Sequence, residues 1–105
     1  MNYFSLNKSS PKASFKQAVV NGIAPDRGLY YPESITPLSQ DFIDRISEYS
    51  NEEIAFEVIK QFIGDEIPAE KLKEIIKKTI SFEFPVVTIE KNIGSLELYH
   101  GPTMA

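Results

Sequence analysis

Cysteine does not occur among the 105 residues of this sequence. Disulfide frameworks, zinc knuckles, iron–sulfur clusters and thiol nucleophiles all require cysteine, so its absence excludes each of them. A chain of this length fits one domain and buries roughly two-thirds of the surface that its unfolded form exposes. We therefore expect it to fold without covalent or metal cross-links, in a reducing compartment.

Long apolar runs are also lacking, because the longest extend over only a few residues and a membrane-spanning helix needs about 20. Residues 1–5 have neither the basic leader nor the apolar core of a signal peptide. The sequence thus predicts a cytoplasmic protein with no membrane partner. It also contains no G-x-x-x-x-G-K or G-x-G-x-x-G motif, which excludes two common phosphate-binding loops.

Charge of one sign is not concentrated in any segment. The 15 acidic and 11 basic residues are interspersed and give a net charge of −4. Nucleic-acid-binding proteins usually carry a basic face or stripe, so we expect no nucleic-acid partner. Four glutamates lie at predicted helix ends: Glu52, Glu53, Glu66 and Glu70. Their spacing does not match a metal-ligand motif, so no metal site is predicted, and we interpret them as solvated acids near positive helix ends.

Two short helices are predicted in the first half of the chain. The first begins after Ser14, which forms a capping-box pair with Gln17, and ends at Gly22. Its inward face is predicted to carry Phe15, Ala18, Val19 and Ile23. The second begins after Ser39 and is predicted to turn Phe42, Ile43 and Ile46 inward.

Two longer amphipathic helices are predicted in the middle. One follows the capping-box pair Ser50 and Glu53 and ends at Gly64; its apolar stripe comprises Ile54, Ala55, Val58, Ile59, Phe62 and Ile63. The other follows Pro68, and its stripe comprises Leu72, Ile75, Ile76, Thr79 and Ile80. Its outer face is expected to carry a Glu74–Lys78 pair. Because the connection is short, the two stripes must bury against each other and a shared neighbour.

Short strands are predicted at both ends of the chain. Residues 3–6 form an aromatic edge strand, and residues 29–32 form an extended segment that follows the turn 25–28. Residues 86–89 and 95–99 are predicted to pair through a hairpin connection in which Gly94 takes a positive φ. The fold class is therefore α+β: a small, helix-rich domain with short strands at the N-terminus and the C-terminus.

The final residues, 100–105, follow directly on the last predicted strand. Ligands often gather where a strand leads into the next helix, and this segment offers a glycine for close backbone approach and the Thr103 hydroxyl. An ordinary strand-to-helix turn is the simpler interpretation. A helix capped by Thr103 would lie beyond Ala105, so we expect the chain to be truncated.

Two other candidate sites have competing interpretations. His100, the only histidine, is either a general base or a hydrogen-bonded structural residue. Asp26, Arg27 and Gly28 form either an anion site or a turn with solvated charges, and the turn is favoured.

Four stretches carry a family resemblance: residues 3–5 with 14–19 (YFS, SFKQAV), 24–32 (APDRGLYYP), 62–68 (FIGDEIP) and 96–103 (LELYHGPT). In these stretches, in order, the sequence resembles the amino-terminal domain of bacterial and fungal threonine synthases. The resemblance covers essentially the whole chain, and its last stretch is the most specific.

The resemblance implies a parent enzyme, a pyridoxal-phosphate-dependent carbon–oxygen lyase that converts O-phospho-L-homoserine and water into L-threonine and phosphate. In the family, H-G-P-T is followed by alanine, phenylalanine and the lysine that forms the Schiff base. Ala105 matches that alanine, so the lysine is expected beyond the chain end, and no residue of this sequence is predicted to be catalytic. The residues expected to line the site are His100, Gly101, Pro102, Thr103 and Gly28.

On this basis residues 1–105 are predicted to form a threonine synthase N-terminal domain, with residues 93–105 leading into a missing catalytic domain. The chain alone is expected to bind no pyridoxal phosphate and to be inactive. Its partners would be the missing catalytic portion and, in the complete enzyme, a small-molecule substrate. The alternative is a stand-alone interaction or regulatory module that reuses the same fold.

Overall fold

The structure is a computed structural model and describes residues 1–101. Its elements are β1 (Tyr3–Ser5), α1 (Phe15–Asn21), β2 (Tyr30–Pro32), α2 (Gln40–Asp44), a 3₁₀ turn (Ile46–Glu48), α3 (Asn51–Ile63), α4 (Ala69–Thr79), β3 (Val86–Glu90) and β4 (Ile93–Leu96). The strands form two separate antiparallel pairs, β1–β2 and β3–β4. This arrangement confirms the predicted α+β class, with helices between short strands at each end.

The first sheet is joined to the helices through Tyr3. β1 runs antiparallel to β2, so that Tyr3 lies opposite Pro32. Tyr3 is buried with Ala13 and Ala18, and its hydroxyl donates to the carbonyl oxygen of Phe62 at 2.5 Å. One side chain thus ties the N-terminal sheet to the end of α3.

The predicted capping of α1 is confirmed at both ends. Ser14 and Gln17 exchange capping-box hydrogen bonds, and Gly22 ends the helix with a φ of 70°. The predicted inward face is only partly correct, because Ala18 is buried whereas Val19 and Ile23 are 62% and 56% exposed. A seven-residue helix has only two turns, and here only its Phe15–Ala18 side meets the core.

Glu66 stabilises the N-terminus of α1 from the loop between α3 and α4. Its carboxylate oxygens accept from the backbone N–H groups of Phe15 at 2.7 Å and Lys16 at 3.0 Å. Glu66 is exposed and lies near a positive helix end, as interpreted from the sequence, but that helix is α1 and not the one that follows Glu66 in the chain. Unpaired amides and the positive end of the helix dipole both favour a carboxylate at this position.

The α2 helix is capped by Ser39 as predicted, and Phe42 is buried beside the ring of Tyr49, with centroids 4.7 Å apart. Ile43 and Ile46, predicted to face inward, are instead 45% and 41% exposed. The helix ends after five residues and gives way to a 3₁₀ turn. This change of period takes the three apolar residues off a common face.

Helices α3 and α4 pack against each other as the sequence predicts, but Val58 and Ile75 of the predicted stripes are 39% and 42% exposed. The Ser50–Glu53 capping box and the terminal Gly64 are both present. The core between the helices contains Ile63, Leu72 and Ile76, and Phe15 of α1 is the shared neighbour. On the outer face, the carboxylate of Glu74 forms an ion pair with Lys71 at 2.9 Å. The sequence predicted an ion pair with Lys78, one turn further along the helix, instead.

The second sheet is a hairpin with a different turn from the one predicted. β3 and β4 pair antiparallel, with Thr88 opposite Gly94 and a register shift between Thr88 and Glu90. Asn92, not Gly94, takes the positive φ, at 65°. Gly94 lies inside β4. This strand ends at Leu96, whereas the sequence predicted that it would extend to residue 99.

The hairpin gives the molecule an elongated shape. Every residue of β3 is exposed, and the radius of gyration is 16.7 Å, whereas a compact chain of this length has about 13 Å. The principal extents are 47, 30 and 27 Å. Within the described part of the chain, no helix has the length and apolar character needed to cross a membrane.

Candidate functional site

Residues 97–101 fold back against residues 82–85, and we call this pair of segments the hairpin base. The backbone N–H of Glu97 donates to the carbonyl oxygen of Pro85 at 2.9 Å. Gly101 lies against the ring of Phe82 so closely that an added Cβ would overlap the ring atoms. Phe82 in turn meets Phe84 edge-on, with centroids 5.9 Å apart and an interplanar angle of 77°.

The imidazole of His100 is held on two sides within the hairpin base. Its Nε2 lies 2.8 Å from Glu97 Oε2, and the Tyr99 ring is tilted over it with centroids 4.4 Å apart. The sequence analysis did not identify Glu97 as part of this site. The available signal was its spacing, because an i,i+3 separation brings two side chains together when the chain turns.

The electrostatics of the pair favour an ionised carboxylate. Hydrogen bonds from His100 and then Tyr99 hold the pKa of Glu97 below its ordinary value. With Glu97 ionised, Nε2 of His100 carries the hydrogen and donates it, which leaves Nδ1 of a neutral ring as an acceptor. The ring also borders a hollow of about 260 Å³, whose other lining residues are Phe82, Glu83 and Pro85.

The structure brings together some of the predicted site residues and separates others. His100 and Gly101 both belong to the hairpin base, but neither follows a strand directly: His100 lies in a turn at residues 99–100, and Gly101 comes after that turn. Gly28 is buried beside the β1–β2 sheet, where an added Cβ would lie 3.1 Å from Asn7 N. Pro102 and Thr103 lie outside the described residues, as does Ala105. The site-lining role of all these residues stays a prediction.

The turn at Asp26 is organised by internal hydrogen bonds. The Asp26 carboxylate accepts from the Ser5 hydroxyl at 2.5 Å and from the backbone N–H groups of Ser9 and Gly28, each at 3.0 Å. These bonds, with Ser5 contributing most, lower the pKa of Asp26. Because Asp26 already engages the Gly28 amide, the geometry matches the turn interpretation better than an anion site.

Neither segment of the hairpin base, 82–85 or 97–101, contains a lysine, so the base has no amine to which an aldehyde cofactor could be attached. Residues 1–101 also contain no group of three histidine, aspartate or glutamate side chains that could hold a metal ion.

A second concave surface lies between α3 and α4. It encloses about 680 Å³ and is lined almost entirely by apolar side chains, among them Val58, Ile75 and Phe84. Val58 and Ile75 are 39% and 42% exposed, so the two apolar stripes are only partly buried against each other. Phe84 is shared with the hairpin base, which makes the groove and the base neighbours.

Comparison with known proteins identifies the family. The family model described as "Threonine synthase N terminus" matches residues 2–80. Threonine synthase of Schizosaccharomyces pombe is 37% identical over 111 residues, covering 100% of this chain and 22% of that protein. For threonine synthase of Escherichia coli the identity is 35% over 105 residues, covering 100% of this chain and 24% of the relative.

Solved structures agree with the sequence matches. The crystal structure of the Escherichia coli threonine synthase superposes with a TM-score of 0.86 and covers 100% of this chain. A structure of PLP-bound threonine synthase from Brucella melitensis gives a TM-score of 0.87 at 33% identity, again over 100% of this chain and 24% of that chain. The fold is therefore shared with the matched quarter of these threonine synthases. The chain belongs to the threonine synthase N-terminus family, and it spans about a quarter of the length of these relatives.

Proposed function

We propose that this chain is the N-terminal part of a threonine synthase whose complete polypeptide converts O-phospho-L-homoserine and water into L-threonine and phosphate. The observation that carries the proposal is full coverage of the chain by the Escherichia coli structure, at a TM-score of 0.86 and 35% identity. The hairpin lies outside residues 2–80 of the family match, but the full-length relatives extend the similarity to the whole chain.

The complete enzyme would use pyridoxal phosphate, which is bound in the Brucella melitensis relative. When bound, this cofactor supplies an electron sink for the lyase reaction. This chain would supply part of the rim of the site: His100 and Gly101 in the hairpin base, with Pro102 and Thr103 beyond them, and Gly28 from the loop that precedes β2. Residues 93–105 would lead from the hairpin into the catalytic domain, which would supply the lysine.

The proposed partner of the domain is the remaining polypeptide of the same enzyme. In the relatives about three-quarters of the chain lies outside the matched segment, which covers 24% of the Escherichia coli protein. The hairpin exposes apolar side chains that a larger body would cover, including Val86 at 70% and Ile89 at 69%. An isolated two-stranded hairpin is only marginally stable in water, so such cover would also stabilise it.

The gene provides the first test. The reading frame beyond the codon for Ala105 is expected to encode phenylalanine and then lysine. The product of that complete frame should form threonine and phosphate from O-phosphohomoserine, and borohydride should fix one equivalent of cofactor to that lysine. A frame that stops after Ala105, or that continues with another sequence, would contradict the proposal and favour a stand-alone module.

The 105-residue chain provides the second test. It is expected to give no turnover and no borohydride-reducible cofactor adduct, because its lysines lie outside the hairpin base. The chain has nine lysines, and one of them, Lys91, lies in the hairpin turn. Lys91→Arg is a suitable control, because any adduct formed at this lysine would be lost in the variant. A stoichiometric adduct at any single lysine of the chain would refute the assignment of the catalytic lysine to the following segment.

A further inference from the structure

We propose that Glu97 is a positioning residue whose bond to His100 holds the turn in residues 97–101 closed and fixes the direction in which the chain leaves the hairpin at Gly101. The inference rests on the proposed function, because that direction would lead to the catalytic lysine.

The turn is anchored to the protein at each end. At its start, the backbone N–H of Glu97 donates to Pro85. At its end, Gly101 packs against the ring of Phe82, where no side chain larger than hydrogen fits without moving the ring. The ring of Phe82 in turn packs edge-on against the ring of Phe84. The ends of the turn are therefore attached to one short segment, residues 82–85.

Between these anchors, the geometry depends on the side chain of Glu97. Glu97 is the less exposed partner, with its side chain 22% exposed against 40% for His100. A bond of 2.8 Å between an ionised carboxylate and an imidazole N–H is of the charge-assisted kind, which is stronger than a neutral bond. The Tyr99 ring packs on the imidazole and reduces the rotation that would break the bond.

Among the described residues, Glu83 and Tyr99 are further titratable groups beside the pair. Glu83 lines the same hollow as His100, and Tyr99 lies on the other side of the imidazole. The carboxylates of Glu83 and Glu97 are both compatible with a protonated His100. A protonated Glu97, in contrast, would lose the negative charge that strengthens its bond to His100. The closed turn is therefore expected to persist at neutral pH and to open in acid.

The intact 105-residue chain tests this arrangement by ¹⁵N NMR relaxation. In the wild type the Gly101 amide should have an order parameter of about 0.85, as in rigid backbone, and Glu97→Ala should lower it below about 0.6. Glu97→Gln should retain most of the order, because its amide oxygen still accepts from Nε2–H. Glu90→Gln, which changes an exposed glutamate at the far end of the hairpin, is the matched control and should have no effect.

A pH titration separates positioning by the carboxylate from simple packing. Order at Gly101 should fall in the wild type as Glu97 becomes protonated below its ordinary pKa of 4.5, and it should not fall in Glu97→Gln. Wild-type Gly101 that is already mobile at neutral pH, or Glu97→Ala that leaves it rigid, would overturn the inference. So would an acid response that is the same in both proteins.

The complete reading-frame product tests the consequence for the lysine. Glu97→Ala should lower the fraction of cofactor fixed by borohydride at least several-fold at subsaturating pyridoxal phosphate, and Glu97→Gln should restore most of it. If the wild-type product binds no cofactor, the proposed function fails while the NMR result on the turn still stands. If the wild type binds cofactor and Glu97→Ala binds it equally well, the positioning role fails and the proposed function survives.

Discussion

Single carboxylates fix several loops of this domain, and Glu66 is the clearest example. Bonds from the backbone N–H groups of Lys16 and Phe15 hold its pKa below the ordinary value of 4.5. Since the folded-state pKa is the lower one, the stabilisation is complete above pH 4.5 and is lost as the pH falls through the folded value. The N-terminal amine and the side chain of Ser14 also act on Glu66.

We expect Glu66→Gln to remove part of the acid-induced loss of stability as the pH falls below 4.5, because the titrating group is gone. Chemical denaturation at several pH values would measure this as a flatter dependence of the free energy of unfolding on pH. Glu70→Gln is the matched control, since Glu70 makes only a surface ion pair with Lys73. An equal flattening in both variants would refute the role of Glu66.

Gly28 combines a packing requirement with its predicted place at the site. An added Cβ would lie 3.1 Å from Asn7 N and from Asp26 Oδ1, and 3.2 Å from Leu6 N. Two of these neighbours are backbone atoms, which yield less easily than the end of a side chain. Gly28→Ala is therefore expected to lower the free energy of unfolding by about 1–3 kcal/mol, the usual range for overpacking.

Gly22→Ala separates crowding from backbone conformation. An added Cβ at Gly22 meets no atom within 4 Å, but its φ is 70°, so the expected loss is about 1–2 kcal/mol and comes from backbone strain. Urea denaturation of both variants provides the measurement. If Gly28→Ala were as stable as the wild type, the close packing against residues 6 and 7 would be disproved.

At the scale of elements, α3 and α4 form the main core, and adjacent isoleucines of α4 test it. Ile76 is 6% exposed and Ile75 is 42% exposed. Ile76→Ala should destabilise the domain by about 2–5 kcal/mol because it leaves a cavity, whereas Ile75→Ala should cost about 1 kcal/mol. Thermal unfolding of the two variants measures the difference. Because both variants replace isoleucine with alanine in the same helix, the changes in side-chain volume and in helix propensity are equal. Equal losses would contradict the assigned helix face.

At the scale of the whole molecule, the hairpin is the part that we expect to need a partner. In the 105-residue chain its amides should exchange with deuterium faster than those of α3, because little apolar surface covers them. Val86→Asp should change the stability of this chain by less than about 0.5 kcal/mol, as is usual for surface changes. In the complete reading-frame product the same substitution should lower the melting temperature.

Val20→Asp is the matched control for the hairpin, since Val20 is 75% exposed and Val86 is 70% exposed. We expect Val20→Asp to have little effect in either protein. If Val86→Asp is harmless in the complete product, the hairpin does not contact the remaining polypeptide. If both substitutions are equally harmful there, exposure in the 105-residue chain does not single out the hairpin.

Local patterns in the sequence were enough to predict where these helices begin. Ser14, Ser39 and Ser50 all cap the helices that they precede, because capping depends on bonds within four residues. The amphipathic stripes likewise identified the α3–α4 core, since helical period alone determines which side chains share a face. The resemblance in residues 96–103 led to the family, which the full-length relatives confirm.

Only the tertiary structure decided which residues meet across long separations. Glu66 bonds to Phe15 and Lys16 about 50 positions away, and Gly101 packs on Phe82; no local pattern encodes either contact. The exposure of Val19 and the turn that separates β4 from His100 also depend on how the elements pack. Periodicity and capping are local, whereas burial and long-range hydrogen bonds exist only once the chain has brought distant segments together.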